Sequence, residues 1–151
     1  MTRSATPDAA AIAALLGHRF PGGRYRIAHW ENFLLTECTG AKLLPDGRVH
    51  PVALFHLPLA GAGTSIAEMF ALGQAESDLS ILIESYDWEM FQALYEDVEY
   101  IVSGSITAAE RRHTAQGKPY DRIQFAFDVR APDASPVART TITWHYTRDT
   151  L

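Results

Sequence analysis

Two histidines and two carboxylates in the middle of the chain have the residue types that acid–base chemistry needs. His50 follows Asp46 by four positions, and His56 and Glu68 come later in the same apolar stretch. A histidine beside a carboxylate can take a proton from a reacting group or from water near neutral pH. Asp46 and His50 are therefore the first candidates for a catalytic dyad, with His56 and Glu68 as alternatives.

Local structure offers a second interpretation of each of these residues, and we favour it. Asp46 stands in the sequence Pro-Asp-Gly, where turn chemistry alone explains an aspartate. His50 precedes a proline suited to the first turn of a helix, so His50 is predicted to cap that helix. His56 lies on an apolar face, as a hydrogen-bonded core histidine would. Glu68 completes the capping-box pattern S-x-x-E.

Composition and charge exclude several kinds of function. The chain has 151 residues, a net charge of −5 and a pI near 5.6, which give no electrostatic reason to bind nucleic acid. The single Cys38 excludes an internal disulfide framework and a multi-cysteine metal site, and its place on an apolar helical face favours a buried structural thiol. We find neither a secretory signal nor an unbroken apolar segment of roughly 20 residues that could span a bilayer. A cytoplasmic protein without a metal site is expected.

The candidate residues lie in the longest apolar run of the chain, residues 49–73. The first half of this run leaves no polar face, and a helix that is apolar all round belongs in the interior of a protein. Pro58 predicts a kink, and the capping box that begins at Ser65 predicts a fresh helix ending at Gly73. The sequence leaves open whether this central region forms one kinked helix or two.

Shorter segments precede the central region. Residues 1–23 are predicted to form an N-terminal helix and a turn, because Thr6-Pro7-Asp8 has the chemistry of a helix start. Residues 24–48 are predicted to contain a short strand, a helix and a loop. The apolar residues of that helix recur at the spacing of one helical face: Trp30, Phe33, Leu34 and Cys38.

Residues 77–148 change to the alternating pattern of β-strands. Four runs alternate in hydrophobicity, and the connections between the later ones are short and rich in turn residues. We predict four long strands in an antiparallel meander, packed against the central apolar helix. The fold class is therefore α+β, in a single domain over residues 1–151.

The stretch from Arg48 to Arg148 resembles a hot-dog domain of the MaoC-like kind. The features that carry the resemblance are the His50-Pro51 pair that opens the central helix, the aromatic segment Tyr86–Phe91, the strand V-x-Y-x-V-x-G-x-I from Val98 to Ile106, and the closing hairpin with V-A-R at Val137. The resemblance implies a hot-dog fold, in which a long antiparallel sheet wraps a central helix. It also implies a dimer whose two sheets join edge to edge.

The resemblance implies a ligand as well: an acyl thioester of coenzyme A or acyl carrier protein, bound between two hot-dog chains in a homodimer or a heterodimer. Hydratases and dehydratases of this kind carry a D-x-N-P-x-H motif, whose aspartate and histidine activate a water. Here Asp46 and His50 are four positions apart with no Asn-Pro between them, so the usual motif is missing. Coenzyme A would be part of the substrate, and no separate cofactor is expected.

Three functions stay open at this point. The first is a hydratase or dehydratase, or the non-catalytic subunit of one. The second is a hot-dog thioesterase in which Glu68 or Asp46 activates water, and the third is a non-enzymatic dimer that binds a small apolar ligand. The resemblance implies that the ligand contacts the central region and the first long strand, at Val49, Pro51, Gly61, Gly63 and Trp88.

Overall fold

The structure is a computed structural model that describes residues 6–148. The elements in chain order are α1 (Ala9–Ala13), β1 (Gly23–Arg26), α2 (His29–Glu37), a 3₁₀-helix (Pro51–Phe55), α3 (Leu57–Ala62), α4 (Ile66–Leu72), a second 3₁₀-helix (Asp78–Ser80), β2 (Ile81–Met90), β3 (Glu99–His113), β4 (Pro119–Arg130) and β5 (Pro136–Thr147). All five strands belong to one antiparallel sheet.

The strand order in this sheet is β1-β3-β4-β5-β2. Strands β3, β4 and β5 form the predicted meander, but β2 pairs with β5 at the far edge of the sheet, with Tyr86 opposite Ile142. The prediction of a four-strand meander is therefore wrong for β2. Alternating hydrophobicity determines which side chains share a face, and it does not determine which strand lies beside which.

The apolar run 49–73 consists of three short helices, rather than the one or two that the sequence suggested. His50 caps the first 3₁₀-helix, because its Nδ1 accepts a hydrogen bond from the Val52 amide at 3.1 Å. Pro58 lies in the first turn of α3, where a missing amide costs nothing, and Gly63 ends α3 in the left-handed conformation with φ +72°. Ser65 then caps α4. Within residues 6–148, none of the helices is long and apolar enough to cross a membrane.

Helix α3 is the central helix of the fold, and it packs against β1, β3 and β4. Gly61 permits the closest approach: a Cβ atom at this position would lie 2.5 Å from Cγ2 of Val102 on β3. A Cβ at Gly23 on β1 would in turn lie 2.8 Å from the Gly61 carbonyl oxygen. Leu57 and Ala62 of α3 are fully buried in the core. Helix α3 is thereby fixed against the sheet.

The face of helix α2 that packs against the core is the opposite of the one that its apolar spacing suggests. Its buried residues are Asn32 and Thr36, whereas Trp30 and Phe33 are exposed. Cys38 is also exposed, so the prediction of a buried thiol is wrong. The physical reason is the buried amide of Asn32, whose hydrogen bonds to Arg48, His50 and Glu96 join α2 to two other segments and therefore orient the helix.

Candidate functional site

A tyrosine, a glutamate and a histidine from three different elements meet on one side of α3. Tyr25 belongs to β1, Glu31 to the first turn of α2, and His56 lies between the first 3₁₀-helix and α3. The Tyr25 hydroxyl donates to Glu31 Oε2 at 2.7 Å and lies 2.8 Å from His56 Nε2. Glu31 Oε2 and His56 Nε2 are 3.8 Å apart. We call these three residues the Tyr25 cluster.

The secondary structure explains how each member of the cluster is positioned. Tyr25 pairs with the buried Tyr100 of β3, so its side chain projects from the face of the sheet that α3 covers. Glu31 is three residues beyond Ala28, and its Oε1 accepts from the Ala28 amide at 3.4 Å, as a helix-start glutamate does. The His56 ring meets the Tyr25 ring edge-on, with centroids 5.4 Å apart.

An apolar cavity of 280 Å³ adjoins the cluster. Trp30, Leu34 and Leu35 of α2 form its apolar walls, and Glu31 and His56 supply its polar groups. The apolar face of α2 points away from the core. Trp30 and Leu34, which the spacing predicted to face the core, therefore line this cavity instead. An apolar cavity with a few convergent polar groups is the usual form of a small-molecule site.

The side chains of the cluster differ in their exposure to solvent. The Glu31 side chain is 13% exposed and that of His56 is 51% exposed. Burial, followed by the hydrogen bond to Glu31 and the charge of that carboxylate, raises the pKa of Tyr25 to about 12. The phenol therefore stays protonated near neutral pH and keeps a hydrogen to donate.

A group of three packed aromatic rings connects the Tyr25 cluster with strand β2 of the sheet. Phe55, the chain neighbour of His56, has its ring 5.2 Å from that of Tyr86 and 4.6 Å from that of Trp88. The indole Nε1 of Trp88 is buried and has no hydrogen-bond partner among residues 6–148. A buried N–H without a partner is a donor that a ligand or a water can satisfy.

The structure does not bring together Asp46 and His50, the dyad considered first. Asp46 is exposed in a left-handed turn with φ +61°, and within the described part of the chain no hydrogen bond or ion pair joins it to His50. His50 uses Nδ1 to cap the 3₁₀-helix, and its amide donates to Asn32 Oδ1 at 3.2 Å. Both residues therefore have the local roles that turn and capping chemistry explain.

The remaining residues from the sequence prediction are distributed over the central region. Glu68 and Gly63 line a second groove of 470 Å³ together with His18, and none of the Tyr25 cluster lines it. Val49 is buried in the core, and Pro51 is half-buried at the start of the first 3₁₀-helix. Their contacts with a ligand, like those of Gly61 and Trp88, stay predictions.

Sequence reasoning identified His56 as an alternative and missed Tyr25 and Glu31. Glu31 has the position of a capping residue, and Tyr25 that of an ordinary strand aromatic, so neither type nor spacing indicates chemistry. Only the fold brings them to His56, which follows Tyr25 by 31 positions. Within residues 6–148, no group of three or more His, Cys, Asp or Glu side chains could hold a metal ion.

No protein-family model and no curated protein matches the sequence. Solved structures do match the fold. The ChsH1–ChsH2 complex from Mycobacterium tuberculosis aligns with a TM-score of 0.65 and 12% identity, over 95% of this chain and 96% of that chain. A C-terminally truncated HadBC (3R-hydroxyacyl-ACP dehydratase) complex from the same organism gives 0.59 and 11%, over 93% and 98%.

A thioesterase from Thermus thermophilus, complexed with coenzyme A and Zn, gives a TM-score of 0.53 and 12% identity, over 85% of this chain and 81% of that chain. Identities this low show the fold alone. The observed sheet and its central helix match the α+β architecture that the sequence predicted. The chain has the hot-dog fold.

Proposed function

We propose that this protein binds acyl thioesters of coenzyme A or acyl carrier protein and acts on them as an enoyl-thioester hydratase or dehydratase. The observation that carries the proposal is the 280 Å³ apolar cavity whose polar groups are His56 and Glu31. The apolar walls suit an acyl chain, and the histidine–carboxylate pair suits proton transfer. The dehydratase among the structures of the same fold supports this reaction class.

His56 is the general base in this proposal. In hydration, a water oxygen bonds to C3 of the enoyl group while His56 takes a proton from that water. The electron pair of the double bond moves to C2 and the thioester carbonyl, and C2 then takes a proton from the His56 imidazolium, which returns the ring to its neutral form. Dehydration runs the same steps in reverse. Glu31 Oε2 is 3.8 Å from Nε2, at ion-pair distance from the imidazolium that His56 becomes when it takes the proton.

A partner chain is part of the proposal. Strand β2 is an edge of the sheet, and large apolar side chains on and after it are exposed: Leu82, Ile83, Met90 and Phe91. Long exposed apolar edges are normally covered in native proteins. Because two matched structures are complexes, we propose that a second copy or a second hot-dog chain covers this edge. The acid–base pair at the cavity favours a catalytic chain over a non-catalytic subunit.

A panel of trans-2-enoyl-CoA thioesters of increasing chain length tests the proposal through the loss of enoyl absorbance. We expect turnover by the wild-type protein and a fall in kcat/KM of about 100-fold or more for His56→Gln, because the general base is removed. His50→Gln is the matched control, and we expect it to stay within about threefold of the wild type. The proposal is wrong if folded wild-type protein turns over no member of the panel, or if His56→Gln is as active as the wild type.

A thioesterase is the second candidate. The groove that Glu68 and His18 both line favours it, because a carboxylate and a histidine that face one groove can activate water against a thioester carbonyl. Release of free thiol from saturated acyl-CoA, abolished by Glu68→Gln and accompanied by no enoyl hydration, would establish this activity instead. Binding of acyl-CoA without either reaction would identify a non-enzymatic ligand-binding protein.

A further inference from the structure

We infer that Tyr25 is a positioning residue that fixes the proton of His56 on Nε2, so that Nδ1 is the ring nitrogen that receives the proton of the attacking water. The catalytic meaning of this inference rests on the proposed function. The position of the proton on the ring does not, and it can be measured without any substrate.

The first argument counts hydrogens among three polar atoms. Glu31 as a carboxylate only accepts, and the Tyr25 hydroxyl donates its single hydrogen to Glu31 Oε2 at 2.7 Å. The Tyr25 oxygen also lies 2.8 Å from His56 Nε2. Two lone pairs at that distance would repel each other, so Nε2 must carry a hydrogen and donate it to the Tyr25 oxygen.

The second argument concerns charge. The raised pKa of Tyr25, about 12, keeps the phenol protonated near neutral pH, so its hydrogen stays in the hydrogen bond to Glu31. Glu31 is largely shielded from solvent, with 13% of its side chain exposed, and its Oε2 is 3.8 Å from His56 Nε2. A negative oxygen at that distance favours the protonated form of the nearer ring nitrogen.

The third argument is rigidity. Tyr25 lies in a paired strand opposite Tyr100, and its Cβ is in the layer where α3 meets the sheet at Gly61. The edge-on contact between the Tyr25 and His56 rings holds the imidazole against this fixed neighbour. His56 Nδ1 has no protein partner in the described part of the chain. It is therefore the nitrogen that is available to a ligand.

Proton–nitrogen NMR of uniformly labelled, ligand-free protein tests the inference. We expect the wild-type His56 ring to show the Nε2–H tautomer, with an Nε2–H signal protected from exchange with water. Tyr25→Phe keeps the ring and removes the hydroxyl, so the Nε2–H signal should be lost through exchange with water. The kcat of this variant should fall about 10- to 100-fold, and its KM should stay within about threefold of the wild-type value. Tyr95→Phe, at an exposed tyrosine outside the cluster, is the control and should change neither quantity.

Two results would overturn the inference while leaving the proposed function standing: an Nδ1–H tautomer in the wild-type protein, or an equally protected Nε2–H signal in Tyr25→Phe. The wild-type spectrum decides the first of these even if Tyr25→Phe does not fold. A third result is a protected Nε2–H signal that is lost in Tyr25→Phe, together with no hydration of any enoyl thioester. This result would support the hydrogen bond from His56 Nε2 to Tyr25 and would contradict the proposed function instead.

Discussion

Glu84 of β2 contacts two basic side chains, His145 of the adjacent strand β5 and Arg122 of β4, the strand beyond it. It accepts two hydrogen bonds from Arg122, each 2.7 Å long, and its Oε2 lies 2.6 Å from His145 Nε2. These contacts, first Arg122 and then His145, lower the pKa of Glu84 to about 2 from an ordinary value of 4.5. A carboxylate with a depressed pKa stabilises the folded state above its unfolded pKa. That stabilisation is lost as the pH falls from about 4.5 toward about 2.

The free energy of unfolding should therefore fall less steeply with decreasing pH in Glu84→Gln than in the wild-type protein. Because the side chain is 36% exposed, we expect the variant to lose only about 1 kcal/mol at pH 7, and this difference should shrink below pH 4. Urea unfolding of both proteins at pH 7, 4 and 3 measures it. A difference that stays constant over this range would contradict the assignment of the lowered pKa to folded Glu84.

At the scale of single residues, the sequence identifies candidates and does not identify partners. The sequence shows His50 before a helix start and His56 on an apolar face; the capping role of His50 is present in the structure, whereas His56 is half-exposed rather than a core residue. The partners of His56 could not be predicted, because Tyr25 and Glu31 reach it only through the pairing of β1 and the orientation of α2. Neither contact leaves a pattern in the local sequence.

At the scale of elements, helix α2 shows how a polar residue can override an apolar pattern. The helix forms where its spacing predicts, but Asn32 is 1% exposed and makes four side-chain hydrogen bonds, at 3.2, 2.7, 3.3 and 3.2 Å. An apolar face can remain exposed at modest cost, whereas a buried amide must be satisfied. The apolar face of α2 is consequently available to line the cavity beside His56.

Asn32→Ala should accordingly destabilise the protein far more than a change on the apolar face of the same helix. The substitution leaves the Arg48 carbonyl without its side-chain donor and removes the 2.7 Å hydrogen bond to Glu96, which keeps its contact with His29, and we expect a loss of about 2–3 kcal/mol in the free energy of unfolding. Phe33→Ala, at an exposed position of α2, is the control and should cost less than about 1 kcal/mol. Equal losses in urea unfolding would contradict the dominant role of Asn32 in orienting the helix.

At the scale of the whole molecule, the resemblance of residues 48–148 led to the correct fold, and the strand pattern alone did not. Alternation gives four strands, but the placement of β2 beside β5 depends on contacts between distant segments. A buried ionic network also joins distant parts: fully buried Asp121 binds Arg111 and Arg148, with N–O distances of 2.8–2.9 Å. Such long-range contacts lie beyond what local periodicity can predict.

Binding of a thioether analogue of a medium-chain acyl-CoA, which can be neither hydrolysed nor hydrated, is the measurement that tests the central claim most directly. Titration calorimetry on the wild-type protein should show binding, and Leu34→Glu should raise Kd about 10-fold or more, because it places a charge in the apolar cavity. Phe33→Glu alters an exposed neighbour on the same helix that does not line the cavity, and its Kd should stay within about threefold of the wild-type value. Undiminished binding by Leu34→Glu, or no binding by folded wild-type protein, would contradict the assignment of this cavity to an acyl group.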